Sequence, residues 1–247
     1  RIDGFGADHD SWDDFLGLPG RVYAGDPHWV PGKPEATYQL VGPRSDFLGY
    51  GDMHHFVAYS GEDPVARVTA MINRRLPADH GMGYVGFFES LSAPAGAGAA
   101  VLEAACAWLT GRGMTTCRGP INFSTWHTYR LVTGGLERHP FFLEPYNPPT
   151  YGDMFLAAGF APYGRYYSTL FDLSSGQTQR AAAIPELSAG FTVRSLKLDQ
   201  FEDDIRCIYE QSRELFSGNP EYTPIDWEEF FALYKAVKRI AIPQFVY

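Results

Sequence analysis

HFVAYSGEDPVARVTAMIN, residues 55–73, decides the reading of the fold. Residues 55–60 and 64–72 are two strand-like runs, and Gly61, Glu62 and Asp63 between them supply a short polar turn, which together predict an antiparallel hairpin. Immediately after a polar loop, residues 84–91 (YVGFFESL) form a third apolar and aromatic run, long enough for a buried strand. The small-residue loop SAPAGAG, residues 92–98, comes next. Beyond it Val101, Leu102, Ala105, Trp108 and Leu109 recur at helical spacing, and Gly111 or Gly113 ends the helix. The local order is hairpin, strand, glycine loop, helix.

Upstream, residues 10–30 carry Trp12, Phe15, Leu16, Val22 and Tyr23 near helical spacing, but Gly17, Pro19 and Gly20 predict that this run breaks into short pieces. Downstream, residues 115–122 read as a strand and residues 141–144 as a further short one. Residues 151–158 then read as a short helix stopped by Gly159, and residues 163–173 as a long aromatic strand. Residues 175–189 are polar and Ala-rich without periodicity and are assigned to a linker, so the expected domains are 1–174 and 190–247. In the second, residues 191–198 read as a strand, Asp199 and Glu202 as an acidic capping pair for a helix ending at Gly218, and Thr223-Pro224 as the start of another helix. Residues 240–247 are apolar and strand-like. The expectation is that native sequence is missing at both ends and that residues 190–247 open a second, partial α/β unit.

Composition bounds the function. The 247 residues are 45% hydrophobic and 20% charged, ordinary for a globular chain, with no apolar run of membrane-spanning length. A net charge of −9 with no dense basic stretch argues against a nucleic-acid partner. The odd set Cys106, Cys117 and Cys207 suits free thiols in a reducing compartment, so the cytoplasm is the expected location. His54 and His55 are adjacent on a strand and point to opposite faces, and His127 and His139 lack partners at ligand spacing; no metal is expected. Gly96 to Val101 lacks the third small residue of a dinucleotide fingerprint, and Arg118 stands near the position where its acidic residue belongs.

The hairpin at 55–73, the strand at 84–91, the loop and helix APAGAGAAVLEAACAWLTGRGM (93–114) and the segment YGDMFLAAGFAPYGRYYSTLFDL (151–173) together resemble the GNAT acyltransferase superfamily. The phrases GFFES, RGP-I-N, PYNPP and AAGF are similar to a bacterial subgroup of it in which two such domains stand in tandem. The resemblance covers roughly residues 12–173. It implies a mixed α/β (α+β) fold with a mostly antiparallel central sheet flanked by helices, and acetyl-CoA or another acyl-CoA as co-substrate. It also implies that Gly96, Ala97, Gly98, Ala99 and Ala100 cradle the CoA pyrophosphate with backbone amides at a helix N-terminus, where the helix dipole suits an anion. Acyl transfer from a thioester to an amine needs a base, a donor for the carbonyl oxygen and a proton for the leaving thiolate. By position the resemblance assigns these to Glu89, to the amide near Leu91, and to Tyr166 or Tyr167.

Asn122, Trp126 and His127, in and after the fifth strand, and Asn147 in the Pro-rich turn are placed beside the acceptor. The acceptor expected is an amine on a small molecule or peptide; neither nucleic acid nor membrane is a partner, and homodimerisation is left open. The competing class is a non-catalytic acyl-CoA-binding or scaffold protein of the same fold. Ala93 or Pro94, where the family carries Arg or Gln before the glycines, favours that competitor.

Overall fold

The structure, a computed structural model, describes residues 1–247 apart from 7, 8, 78, 79, 142, 171, 173, 175–191, 220, 244, 245 and 247. It divides into two compact units, Arg1–Ala161 with Gly218–Pro224, and Pro162–Ser217 with Ile225–Tyr247. The linker assigned to 175–189 lies outside the described residues.

The first unit is built on a five-stranded sheet in the order β1 (Ile2–Phe5), β2 (Gly51–Ser60), β3 (Asp63–Asn73), β4 (Met82–Ser90) and β5 (Thr116–Arg118). The first three pairings are antiparallel, and β5 runs parallel to β4. The hairpin is formed as its sequence predicts, with Gly61 supplying the positive φ of the turn. This is the mixed, mostly antiparallel sheet flanked by helices expected from the sequence. One face buries Phe56, Ala66, Val68, Val85 and Phe88 beneath α3 (Ala97–Thr110) and α4 (Tyr151–Ala157). The other buries Phe5, Val57, Met71 and Tyr84 with Trp12 and Phe15 of α1 (Trp12–Val22) and Val41 of α2 (Pro34–Val41). Alternation along β2 to β4 therefore divides the apolar residues between two cores.

Several elements depart from the sequence reading. α1 is continuous, with Pro19 and Gly17 inside it, because Trp12, Phe15 and Leu18 are buried on one face and tertiary packing outweighs the weak helical propensity. β1 and α2 were not anticipated. β5 is only three residues long, and residues 141–144 form no strand among the described residues. Residues 162–170, together with Asp172 and Ser174, are irregular, so the long aromatic strand does not form there. Alternation alone gives no ladder; a strand forms only where a neighbouring strand edge takes its backbone hydrogen bonds.

In the second unit, α5 (Phe201–Phe216) and α6 (Trp227–Tyr234) are present, and Tyr209 packs on Trp227 and Phe230. The caps differ from those expected. Asp199 sits in a 3-10 turn and does not cap α5, while Asp204 receives the Arg194 guanidinium and the Lys197 amide. Asp226, not Thr223, caps α6 by accepting from Glu229 N at 2.8 Å. Residues 192–197 and 240–243 contain no strand.

Candidate functional site

The site begins with an irregularity in β4. Arg67 of β3 pairs with Glu89 and Thr69 with Gly86, so Phe87 and Phe88 together oppose Val68 alone, and Phe87 has φ of 51°. Such a bulge twists a strand and redirects its side chains. Regular pairing of β4 with β5 ends at Tyr84 and Arg118; Ile121 N still reaches Val85 O at 2.9 Å, and Phe87 N then bonds the Asn122 Oδ1 side-chain oxygen at 2.8 Å. A side chain thus replaces the next rung of the ladder. Gly86 makes this approach possible, since a Cβ there would stand 2.3 Å from Ile121 O and 2.6 Å from Asn122 Oδ1.

Beyond the bulge, Glu89 stands among three polar side chains drawn from separate parts of the chain. Its Oε2 accepts from the Tyr151 hydroxyl of α4 at 2.7 Å, and that hydroxyl in turn accepts from Ser90 N at 2.9 Å. Tyr23, just past α1, bonds the Tyr146 carbonyl at 3.4 Å and also lies within hydrogen-bond reach of Glu89 and Tyr151. Arg67 Nη2 approaches Glu89 Oε1 at 3.9 Å, longer than a hydrogen bond. The Glu89 side chain keeps 16% of its surface open, which leaves a route for a proton or an amine, whereas Arg67 keeps 6%.

Burial pushes the Glu89 carboxyl above its usual range, while Arg67 and the two tyrosine hydroxyls pull the other way. Burial, together with the adjacent carboxylate, raises both Tyr151 and Tyr23. The arrangement can therefore take a proton on Glu89 and hold phenolic protons beside it. Arg67, Tyr151 and Tyr23 were missed by sequence reasoning. A signal existed for Arg67, the lone charge within the apolar run VARVTAM; none marked the tyrosines, which only the fold brings to β4.

The other assigned residues are distributed as follows. The Leu91 amide donates to Val65 O at 2.9 Å in continuation of the sheet, so it is already committed and does not stand ready to polarise a carbonyl. Tyr166 and Tyr167 are 64% and 83% exposed on irregular backbone of the second unit, and the hydroxyl bonded to Glu89 is that of Tyr151. Gly96 is the N-cap of α3 with φ of 87°, exposed, with open space where a Cβ would stand and no side-chain cap on the helix. Gly96, Ala97 and Ala100 line an open cleft of about 410 Å³ with Arg1, Tyr59 and Pro94. Ala99 is half-buried in the first turn of α3. Gly98 is buried, and a Cβ on it would stand 2.6 Å from Met154 Sδ and 3.0 Å from Ser90 Oγ. That glycine serves the packing of α3 onto β4 and α4.

Asn147 is buried and clamps the 132 loop, accepting from Val132 N at 2.7 Å and donating to Val132 O at 3.1 Å. Trp126 donates to Thr223 O at 2.9 Å, and His127 Nδ1 pairs with Ser124 Oγ at 3.1 Å. His54 and His55 face opposite sides, with His54 on Trp108 and His55 among Phe5, Trp12 and Phe15. Cys106, Cys117 and Cys207 are free. Among the described residues no group of three or more His, Cys, Asp or Glu is placed to hold a metal ion, and no helix is long and apolar enough to cross a membrane.

No protein-family model matches the chain. Over 238 residues it is 25% identical to a bacterial ceramide synthase of Caulobacter vibrioides, a match that takes in 92% of this chain; the chain spans 60% of the length of that relative. Partial similarity to solved structures is also found. An aminoglycoside acetyltransferase from an uncultured soil metagenomic sample is 12% identical, with a TM-score of 0.43 over 69% of this chain and 96% of that one. A putative acetyltransferase from Agrobacterium tumefaciens is 18% identical, with a TM-score of 0.42 over 69% and 99%.

Proposed function

We propose that the protein is an N-acyltransferase that moves an acyl group from an acyl-CoA to an amine. The observation that carries this reading is the Glu89 carboxylate, buried among Arg67, Tyr151 and Tyr23 just beyond the β4 bulge, yet open on one side. An ammonium acceptor must lose a proton before its nitrogen can attack a thioester, and a carboxylate raised by burial is suited to remove it near neutral pH. Nitrogen attacks the carbonyl carbon, the C–S bond breaks, and the departing sulfur needs a proton. In this reading the acid form of Glu89, whose Oε2 is held by the Tyr151 hydroxyl at 2.7 Å, returns its proton to that sulfur.

Gly96, Ala97 and Ala100 at the start of α3, which no side chain caps, are proposed as the CoA phosphate seat, where small residues let an anion approach the positive end of the helix. The relative's name directs the choice of acceptor: a ceramide is an N-acylated long-chain amino alcohol, which makes long-chain amino alcohols the first amines to assay.

The test is thiol release from acetyl-CoA and longer acyl-CoAs by the full-length protein across a panel of amines, beside calorimetric titration with CoA. Amine-dependent release is expected, lowered at least about a hundredfold by Glu89→Gln with CoA affinity retained. CoA binding without release for any amine would favour the non-catalytic reading. An unchanged rate in Glu89→Gln would remove Glu89 from the chemistry.

A further inference from the structure

Pro19 lies within α1, where it has no N–H to offer the carbonyl four residues earlier, that of Phe15. That carbonyl has a partner all the same: Arg67 Nη1 donates to it at 2.5 Å, from across the sheet–helix interface. The guanidinium also lies 4.5 Å from the centre of the Phe15 ring, and its Nε is buried with no hydrogen-bond partner. Arg67 is therefore turned toward α1, and it reaches Glu89 Oε1 only at 3.9 Å.

We propose that the Phe15 carbonyl, orphaned by Pro19, tethers Arg67 at a set distance from Glu89, making Pro19 and Arg67 positioning residues that tune the strength of Glu89 as a base. The proposal rests on the reading of Glu89 as the base given above. A cation at that separation favours the charged carboxylate through its field, and a closer, directly bonded pair would hold the charged form harder. With Arg67 absent, burial would leave the carboxyl protonated to a higher pH. The tether places the tendency of Glu89 to ionise between those limits, with no direct salt bridge to Arg67.

The groups that face this pair are few. Tyr151 from α4 donates to Glu89, the Tyr23 hydroxyl after α1 lies beside it, and Phe15 of α1 packs on Arg67. Among the described residues His55 of β2 also feels the charge of Arg67, and burial holds it neutral, with a pKa lowered to about 3.

The two substitutions that disturb the tether are expected to act in opposite directions. Titration of Glu89 Cδ by carbon-13 NMR in the full-length protein, without substrate, reads the effect independently of turnover. Arg67→Gln is expected to raise the midpoint by about one pH unit or more. Pro19→Ala restores an amide donor to the Phe15 carbonyl, frees Arg67 to close on Glu89, and is expected to lower the midpoint. Arg67→Lys, which keeps the charge, is expected to stay nearer wild type than Arg67→Gln.

If Glu89 is the base, the acid limb of kcat/KM against pH follows the same two shifts. Unchanged midpoints in both variants, or shifts of the same sign, overturn the proposal. Should Arg67→Gln not fold, an unchanged or raised midpoint in Pro19→Ala overturns it alone. Opposite NMR shifts with no matching movement of the rate profile would uphold the tether and remove Glu89 from the reaction.

Discussion

Glu89 was identifiable as a residue near the end of an apolar strand, but its behaviour comes from groups between 22 and 66 positions away in sequence. The carboxyl is raised by burial and opposed by Arg67, Tyr151 and Tyr23, and pairwise forces of this kind fall steeply with distance. Tyr151→Phe deletes the hydroxyl that links Ser90 N to Glu89, so a loss of about 1–3 kcal/mol in unfolding free energy is expected by urea titration, together with slower acyl transfer.

His55 sets a second expectation. It is 1% exposed, its Nδ1 pairs with Thr69 Oγ1 at 2.9 Å, and burial lowers its pKa to about 3. The unfolded chain takes up a proton near pH 6.5 that the folded protein refuses until about pH 3, so its stabilising effect is complete above 6.5 and is lost as pH falls between those values. The expected slope from this residue is about 1.4 kcal/mol per pH unit. Unfolding free energies measured from pH 6.5 to 4.5 should show a shallower fall in His55→Phe than in wild type, whatever the offset at pH 7.

Glycines separate three kinds of element behaviour. Gly17, inside α1, has open space where a Cβ would stand, so Gly17→Ala is expected to raise stability by about 0.5–1 kcal/mol in thermal unfolding. In β4, Gly86→Ala would press a methyl group onto the backbone carbonyl of Ile121, which cannot swing aside as a side-chain tip can, and onto Asn122 Oδ1, which could move only by giving up its bond to Phe87 N. A loss of about 2–4 kcal/mol and displacement of Glu89 are expected, visible as a fall in both melting temperature and acyl transfer. Gly98→Ala meets mainly the flexible tip of Met154 and should cost less than Gly86→Ala. These three positions are equivalent as letters. Their difference lies in what each element packs against.

For the molecule as a whole, the first unit is not one continuous stretch of chain, because Gly218–Pro224 belongs to it. Within this unit Glu221 pairs with Arg118 at the end of β5, and Thr223 O receives the Trp126 indole N–H. A chain ended after Ala161 should therefore melt lower than the same unit in the full-length protein, since Arg118 and the Trp126 indole lose these partners; an equal melting temperature would show that the returning segment adds nothing.

The hairpin, β4, α3 and α4 were legible in the sequence because period-two and period-3.6 patterns, a Gly turn and small residues are local signals. They determined the class of fold and placed Glu89 on a strand end. The continuity of α1 through Pro19, the shortness of β5 and the absence of a strand over residues 162–170 were not legible, since each depends on which surfaces meet. Tertiary structure alone decided the site's composition, bringing Arg67, Tyr23 and Tyr151 to Glu89 from three elements. Burial and charge proximity act through space, and sequence spacing carries no measure of either.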